Sequence, residues 1–413
     1  MTSLPLRDIF VLDVSMHLSG PFASRMLADL GARIVKVEPY EGRGPTSYPG
    51  GKPAPNLVAA NCGKESIAID LKTAGGKAVF LDLARRADVV LENFRPGVTQ
   101  RLGIDYETLR RINPALIYCT ITGFGSNGPL AARSAFDSTI QAMSGAMFAT
   151  GEPDRPPALM TVNLGDLAAS CISTSAIIAA LHGRAGGDGG RHIDISMLEC
   201  LLFLMVHHTQ TFLQDGGVWG RHGSGYGPGV IAGAMECRDG KYVQLVCPYP
   251  KFQESLQRVI AMVPGFEEAA GDPRFSTTEL RLKNSETFLQ TVRDAFKRRS
   301  RDEWLAVLED NDVPSSPIYD VGEALGSEQL AARGAISSVR IPECGIEMPI
   351  LASPFDCLGN PGAPRALPAF AQHTSAILRE FGYSDEEIAR LTAERAIKTR
   401  PENVVGGAKS KEK

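Results

Sequence analysis

The sequence lacks several features that define large classes of protein. Its eight cysteines form no C-x-x-C pair, and its seven histidines never fall at metal-ligand spacing on one predicted helix. This cysteine pattern predicts reduced thiols, as in a cytoplasm, rather than a disulfide framework or a zinc site. We therefore expect no metal. A net charge of −4 without a basic block argues against binding to nucleic acid or to an anionic membrane surface.

Export and membrane signals are missing as well. Residues 1–7 contain no apolar core of a signal peptide, and no apolar run reaches the length of a bilayer span. Hydrophobic residues make up 43% and charged residues 22% of the chain, which is ordinary for a globular protein with a large core. For 413 residues we expect a cytoplasmic protein with two domains, or with one large domain that carries an insertion, and no membrane segment.

Strand and helix patterns alternate through the first 122 residues. An apolar run at 9–15, a helical pattern at 22–30 and an alternating run at 33–38 predict a β-α-β unit. The later elements of the alternation are strands at 66–71, 88–92 and 116–122 and helices at 74–87 and 106–112. The fold class is therefore α/β, with a parallel sheet that binds ligands beyond the carboxyl ends of its strands. Only Gly20 stands where a dinucleotide fingerprint needs three glycines, which disfavours a nicotinamide cofactor.

The stretch 160–197 is the centre of the predicted fold. A turn ending at Asp166 leads into a helix of small and apolar residues over 167–181. Small side chains on nearly every face predict a central, buried helix, and its length and serine content argue against a membrane span. Asp166 lies where free backbone N–H groups and the helix dipole favour a carboxylate. From these residues alone, Asp166 is either a helix cap or a functional carboxylate.

The second half of the chain predicts a smaller α+β domain. Asp239-Gly240 between two strand-like runs is a strong hairpin signal, and a glycine-dense segment at 216–229 precedes it. That segment either exposes N–H groups to a ligand or serves as a flexible linker. The other predicted elements are helices at 198–212, 251–262, 284–298, 301–310, 374–381 and 384–394, an irregular stretch at 313–354, and a frayed tail at 400–413. We predict a large domain over 1–222 and 330–413, and a small one, with linkers, over 223–329.

Several motifs occur together in a fixed order. They read VLDVSMHLSGPFASRMLADLGARIVKVE, NCGKESIAIDLKT, VVLENFRPG, LIYCTITGFGSNGP, NLGDL, IIAALHGRAGGDGGRHIDISM and QHTSAILREFG. In these motifs the chain resembles the class III CoA-transferases, the CaiB/BaiF-type family of formyl-CoA transferase and its dicarboxylate-using relatives. The likeness covers most of residues 8–212 and is thin through 250–350.

The resemblance implies a role for particular residues. Asp166 falls on the family's catalytic aspartate. The positions that fall on residues contacting CoA or shaping its tunnel are Leu18, Ser19, Ile69, Asp70, Leu71, Lys72, Asn93, Phe94, Arg95, Arg101, Ser134, Ala135, Phe136 and Asp137. Gly223, Gly225 and Gly227, within 223–229, resemble the mobile glycine loop that shields the family's active site.

The resemblance also implies a fold and a reaction. The expected fold is a large Rossmann-like domain and a smaller one, with two chains threaded through each other as an interlocked homodimer. The expected reaction moves CoA from an acyl-CoA donor, such as succinyl-CoA or another dicarboxylyl-CoA, to a free carboxylic acid. Aspartyl-anhydride and aspartyl-CoA thioester intermediates would form on Asp166. Coenzyme A would be a substrate and product, with no tightly bound cofactor.

Three positions depart from the family's pattern. Leu18 replaces the glutamine of formyl-CoA transferases, which counts against a formyl/oxalate pair. Pro39 stands where a family arginine lies near the CoA nucleotide, and Arg43 is the nearest substitute. Phe136 replaces the catalytic histidine of the related α-methylacyl-CoA racemases, and phenylalanine cannot transfer a proton. A racemase or isomerase and a CoA-binding protein without turnover remain alternatives, and the role of His17 is open.

Overall fold

The computed structural model describes residues 4–42, 54–227, 230–342, 345–358 and 365–400. The contacts within it divide the chain into two compact units. The first unit comprises Met1–Ser144, Thr161–Val206 and Glu328–Lys413. The second unit comprises Gly145–Met160 and His207–Ser327.

The second unit is larger than the small domain predicted from the sequence. It includes residues 145–160 and 207–222, which the sequence assigned to the large domain. Backbone and side-chain hydrogen bonds join these two segments. The Arg221 guanidinium donates to the Glu152 carbonyl at 3.1 Å and to the Phe148 carbonyl at 3.2 Å. The N–H of Gly223, the next residue after the second segment, donates to the Gly151 carbonyl at 2.9 Å. These long-range contacts leave no periodic signal in the sequence.

In the described ranges, strands and helices alternate regularly in the first part of the chain and less regularly later. The strands are β1 (Phe10–Asp13), β2 (Arg33–Pro39), β3 (Glu65–Ile69), β4 (Val89–Glu92), β5 (Ile117–Thr122), β6 (Arg191–Ser196), β7 (Ile231–Glu236), β8 (Tyr242–Cys247), β9 (Ser315–Ile318), β10 (Ile336–Ile341), β11 (Ile346–Leu351), β12 (Arg365–Ala366) and β13 (Ile397–Lys398). The helices are α1 (Ser19–Asp29), α2 (Pro55–Asn61), α3 (Ala74–Arg86), α4 (Val98–Leu102), α5 (Tyr106–Ile112), α6 (Asp137–Met143), α7 (Ala146–Ala149), α8 (Leu164–Ala185), α9 (Met197–Leu204), α10 (Val206–Asp215), α11 (Pro250–Ala261), α12 (Thr278–Lys283), α13 (Ser285–Phe296), α14 (Arg301–Asp310), α15 (Val321–Leu325), α16 (Glu328–Ala332), α17 (Thr374–Glu380) and α18 (Asp385–Ala393).

A seven-stranded sheet forms the centre of the first unit, within the residues that the structure describes. Its order is β13-β3-β2-β1-β4-β5-β6, with β1 to β6 parallel and β13 antiparallel at the edge. Every residue of β4 and β5 is buried, as expected for parallel strands covered on both faces. The predicted α/β architecture with a parallel sheet is therefore confirmed. Because the order reverses between β1 and β4, the crevice outside their carboxyl ends is the expected ligand site.

α8 is longer and less enclosed than the sequence predicts. Its buried face packs on α1, where the Ser170 hydroxyl donates to the Ser19 carbonyl at 2.7 Å. The opposite face, with Cys171 and Ser175, is exposed in the described chain, so the expectation of burial all round is wrong. By length and composition this helix could cross a membrane, a test that a packed core helix also passes. Its hydrogen bonds to α1 are those of a packed core helix.

Two other helices differ from their predicted bounds. α1 begins at Ser19 rather than at residue 22, since Pro21 needs no N–H partner in a first turn. The helix predicted over 198–212 is two helices, α9 and α10, with Met205 between them outside helical geometry. The helix of 106–112 starts as predicted behind Asp105, whose side chain accepts from the Thr108 N–H.

The stretch predicted to be irregular, 313–354, contains regular structure. β9 joins the β7–β8 hairpin, while β10 pairs with β11 and β12. The hairpin at Asp239-Gly240 is confirmed. β9 and β11 are edge strands that the sequence does not reveal, because Pro317 and Pro349 each lack the N–H that a strand ladder needs. In the second unit the core is built around Trp304, whose ring stacks on Phe296 with centroids 4.1 Å apart.

Candidate active site

Asp166 lies in the first turn of α8, three residues after the cap position Asn163. The Asn163 side chain does not bind the free N–H groups of this helix. Asp137 does so from α6, because its Oδ1 accepts from the N–H of Gly165 at 2.7 Å and from that of Asp166 at 3.3 Å. Asp137 therefore supplies the carboxylate that caps α8, which disfavours capping as the role of Asp166.

The Asp137 cap is itself held in place. Gln141 Nε2 donates to the other oxygen of Asp137 at 2.6 Å, and both side chains are buried. A Cβ on Gly165 would press against Ile140 and the capping oxygen of Asp137. Glycine at 165 thus allows α8 to begin close enough to α6 for the cap to form.

The Asp166 carboxyl is largely buried and lies among polar groups. Burial, followed by the charge of Asp137, raises its pKa above the ordinary value. Hydrogen bonds with the Ser19 and Asn163 side chains and the charge of His17 oppose that rise. The helix dipole alone favours the ionised carboxylate, at some cost in nucleophilicity. Burial adds basicity, and a more basic carboxylate is a better nucleophile once it is ionised.

Asn93 fixes the loop that carries His17 and Ser19. Its Oδ1 accepts from the Met16 N–H and its Nδ2 donates to the Met16 carbonyl, both at 2.7 Å. Nδ2 also lies 3.3 Å from the Ser19 hydroxyl. His17 adopts a left-handed conformation with φ of 64°, which is strained for a residue with a side chain. The loop after β1 is therefore held by the first residue after β4.

A cavity of about 720 Å³ opens at the carboxyl ends of β1 to β4. Its volume lies within the range of small-molecule sites. Six predicted CoA-contacting residues line it, namely Ile69, Asp70, Leu71, Lys72, Phe94 and Arg101. Ser15, His17 and Lys36 line it as well. The edge of the sheet chosen from the sequence is thus the edge that carries the cavity.

The other predicted contact residues, including Asn93, are not among the residues that line the cavity, and neither is Asp166. Leu18 precedes α1, and Ser19 is buried in its first turn. Arg95 is exposed, whereas Ser134 and Ala135 are half-buried. Phe136 is 65% exposed, and its ring meets the edge of His17 with centroids 6.5 Å apart. Asp137 is occupied by the α8 cap, so its observed partners are protein groups.

The sequence reasoning missed a buried charge cluster beside the cavity. Asp13 accepts from Lys64 Nζ at 2.9 Å, from Lys36 Nζ at 3.1 Å and from the Ser24 hydroxyl at 2.6 Å. Burial alone would raise the pKa of Asp13, but the two lysines and the hydroxyls of Ser15 and Ser24 hold it well below its usual range. Burial lowers the pKa of Lys64 to about 8 against the pull of Asp13. A lysine within the apolar run of β2 was the available signal.

Two cations at the C-terminal strand contact Tyr40, which stands between the cavity-lining residues Pro39 and Glu41. The Arg395 guanidinium lies 5.2 Å from the Tyr40 ring centroid and 3.1 Å from a Glu41 oxygen. Lys398 Nζ lies 5.5 Å from the same ring. Glu41 and Pro39 both line the cavity. Arg43, the substitute considered from the sequence, lies outside the described residues.

The predicted glycine loop belongs to the second unit. Gly223 and Gly227 have φ of 56° and 113°, values that favour glycine, whereas Gly225 does not require one. A Cβ on Gly227 would meet the Trp219 ring. Residues 228 and 229 of this loop lie outside the described residues. Its shielding role remains a prediction. In the described ranges, no group of three or more His, Cys, Asp or Glu side chains could hold a metal ion.

Comparison with known proteins gives concordant matches over most of the chain. The model of CoA-transferase family III matches residues 6–374. Acetyl-CoA:oxalate CoA-transferase of Acetobacter aceti is 35% identical over 91% of this chain and 96% of its own length. Succinate–glutarate CoA-transferase of Agrobacterium fabrum is 34% identical with the same coverage. A crystal structure of a CAIB/BAIF family protein from Brucella suis superposes with a TM-score of 0.80 at 33% identity, covering 92% of this chain and all of that one.

Proposed function

The chain belongs to CoA-transferase family III, and we propose that Asp166 is the residue on which it transfers CoA from an acyl-CoA to a free carboxylic acid. One observation carries the proposal. The Asp166 carboxyl is largely buried, hydrogen-bonded by Ser19 and Asn163, and relieved of capping α8 by Asp137. The charge of His17, which lines the ligand-sized cavity, acts on this carboxylate, and a carboxylate in that environment is suited to act as a nucleophile.

The first half-reaction would proceed in two steps. An Asp166 oxygen attacks the thioester carbonyl of the donor, the C–S bond breaks, and CoA leaves as a thiolate. The thiolate then attacks the Asp166 carbonyl of the mixed anhydride, and the donor acid leaves as a carboxylate that keeps one former Asp166 oxygen. An aspartyl-CoA thioester remains. No proton is gained or lost overall, so an acid–base pair is not required.

The second half-reaction reverses this order with the acceptor. Its carboxylate attacks the aspartyl thioester, which releases the thiolate and forms a new anhydride. The thiolate attacks the acceptor's carbonyl, and Asp166 leaves as a free carboxylate. The N–H groups near Ser19 would stabilise the oxyanions. The resemblance to the family implies that a glycine loop excludes water from the labile intermediates.

Cations around the cavity fit the phosphates of CoA. Lys72 and Arg101 on its wall would bind them directly. Arg395 and Lys398, which lie over the Tyr40 ring, are the candidates to replace the family arginine at the position of Pro39. Phe94 would form an apolar wall for the pantetheine arm. CoA would thus be held as a substrate.

Dicarboxylic acids are the substrates we favour. Relatives named for oxalate, glutarate and succinyl-CoA are 30–35% identical to this chain. We propose succinyl-CoA or another dicarboxylyl-CoA as donor. His17 would bind the far carboxylate of the acceptor, because it faces the cavity and its charge reaches Asp166.

We expect the His17→Gln variant to raise KM for a dicarboxylate acceptor by roughly tenfold, the usual loss for a hydrogen bond to a charged group. KM for a monocarboxylate of equal length should change little. Steady-state kinetics at pH 6.5 with both acceptors tests this. Equal changes for the two acids would exclude His17 as the group that selects the second carboxylate.

Homodimerisation is part of the proposal. Phe203 on α9 and Leu213 on α10 are 72% and 77% exposed, which is costly for large apolar side chains. A second copy of the chain would cover them. A cytoplasmic location remains our expectation for the dimer.

A mass-spectrometric screen tests the function as a whole. Acyl-CoA donors are incubated with a panel of mono- and dicarboxylates, and new acyl-CoA species are identified. Transfer to a free acid supports the proposal. Wash-in of deuterium at the α-carbon without transfer would instead support the racemase alternative, and CoA binding without any product would indicate a non-catalytic protein.

A further inference from the structure

Glu92 is an ionisable side chain that the proposed reaction does not use. It ends β4, at the edge of the sheet that carries the cavity, and is only 3% exposed. Its Oε2 accepts a hydrogen bond of 2.7 Å from the Phe94 N–H, and its carboxyl also bonds to the Thr120 side chain. A buried carboxyl at this position costs free energy, since burial disfavours its charged form.

The turn that Glu92 binds contributes to both parts of the candidate site. Phe94, whose N–H it holds, lines the cavity. Asn93, between them, clamps Met16 and reaches the Ser19 hydroxyl, which in turn bonds to Asp166. A shift of this turn would move the cavity wall and the loop beside Asp166 together.

Thr120 connects Glu92 to a histidine. Thr120 lies opposite Glu92 in the β4–β5 register, and its Oγ1 is 3.0 Å from His192 Nε2. The Tyr106 ring stacks on His192 with centroids 5.1 Å apart, which fixes the plane of the imidazole. A threonine hydroxyl has one proton. When it donates to the Glu92 carboxylate, the bond to His192 must be donated by Nε2–H.

The charge state of Glu92 is sensitive to pH near neutrality. Burial, reinforced by the charge of Asp194, raises its pKa to about 7, although the bonds from Phe94 and Thr120 oppose the rise. Burial also lowers the pKa of His192. Glu92, Thr120 and His192 form a row of side chains. The ionisable groups in and around this row, besides Glu92, are Tyr118 and Cys119 of β5, His192 and Asp194 of β6, and Tyr106 and Glu107 of α5. Asp194 is held by the Ser126 N–H at 3.0 Å.

We infer that Glu92 is a positioning residue for CoA: its carboxylate, oriented by Thr120 and His192, fixes the Asn93–Phe94 turn that walls the cavity and holds the loop beside Asp166. The inference rests on the proposed function for the identity of the ligand. Ionised Glu92 accepts a charge-assisted bond from the Phe94 N–H, which is stronger than the bond to a neutral carboxyl. CoA binding should therefore tighten as Glu92 ionises.

Glu92→Gln tests this inference, because glutamine keeps the shape and the acceptor oxygen but stays neutral. The dissociation constant of CoA is measured by calorimetry at pH 6 and pH 8.5 for both proteins. We expect similar affinities at pH 6 and a weakening of roughly five- to tenfold in the variant at pH 8.5. A purely structural role would give the same ratio at both pH values, and that result would overturn the inference. Both proteins bind the same CoA, so the ratio of their dissociation constants at one pH does not depend on the titration of CoA itself.

Thermal stability gives an independent readout. The pKa of Glu92 is raised on folding, so its ionisation destabilises the folded state as pH rises from about 4.5 to about 7. Glu92→Gln should then melt at or above the wild-type temperature at pH 8.5 while binding CoA less tightly. A lower melting temperature together with a pH-independent affinity ratio would mark Glu92 as structural and contradict the inference.

Thr120→Val supplies a second variant that keeps the Glu92 charge. Loss of the hydroxyl removes one bond to the carboxylate and should move the pH dependence of CoA affinity to higher pH. An unshifted dependence would contradict the row of Glu92, Thr120 and His192. These binding measurements need no turnover. If the chain binds CoA with this pH dependence but transfers nothing, the proposed transfer is contradicted and the role of Glu92 is supported.

Discussion

Replacing Asp166 by asparagine is expected to lower kcat for CoA transfer by at least about a thousandfold, as losses of a covalent nucleophile usually do. The amide has the same shape as the carboxylate but is a poor nucleophile, so neither the anhydride nor the thioester can form. Initial rates of acyl-CoA formation, followed by mass spectrometry, measure the loss. CoA itself should still bind, because none of the proposed phosphate contacts involves Asp166.

The melting temperature of the same variant shows whether the substitution affects folding. The pKa of Asp166 is raised by burial and by Asp137, so its ionisation costs stability as pH rises above the unfolded value. Asp166→Asn should therefore melt no lower than the wild type at pH 8. Asp188→Asn, at an exposed ion pair with Arg191, is the matched control and should keep full activity. A folded Asp166→Asn protein with a near-normal rate would remove the mechanism.

Asp13→Asn is expected to destabilise the folded chain by about 3–5 kcal/mol, the usual cost of removing one partner from a buried ion pair. Lys36 and Lys64 would keep their charges without the carboxylate between them. The free energy of unfolding, from urea titration with fluorescence detection, measures the effect. CoA binding should weaken too, because Ser15 and Lys36 line the cavity.

The pH dependence of this loss follows from the two pKa shifts. The depressed pKa of Asp13 means that its contribution is present above about pH 4 and lost at lower pH. In the variant, Lys64 can relieve the unpaired charge by losing its proton as pH rises. The deficit should thus be larger at pH 6 than at pH 9. Glu380→Gln, which breaks an exposed pair with Arg33, should cost less than about 1 kcal/mol. Similar effects of both substitutions would contradict the role of the buried cluster.

The parallel sheet was predictable because its strands are short, apolar and separated by regular helices. Five strands and the bounds of α3, α5, α11, α13, α14, α17 and α18 follow from periodicity to within two residues. The cavity follows from the rule that ligands bind at the carboxyl ends of the strands. β13 could not be found this way. Two residues, Ile397 and Lys398, carry no pattern, and their pairing with β3 depends on contacts more than three hundred residues apart.

The residues of the site were more predictable from the sequence than the hydrogen bonds between them. Asp166 and the cavity-lining Lys72 and Phe94 came from motifs, whereas the cap on α8 comes from Asp137, which is 28 residues away from Gly165. The sequence indicates the helix dipole at Asp166, whereas the charge of Asp137 and the extent of burial that raise its pKa depend on tertiary packing and leave no local signal. The roles of Leu18, Arg95 and the glycine loop stay predictions.

Trapping the intermediate tests the central claim most directly. The protein is incubated with an acyl-CoA donor and hydroxylamine, digested, and the peptide that contains Asp166 is sequenced by mass spectrometry. An activated carboxyl on this residue predicts a hydroxamate at Asp166, formed only when the donor is present. Rapid transfer of CoA to an acid with Asp166 unmodified, or with the hydroxamate on another residue, would contradict the account.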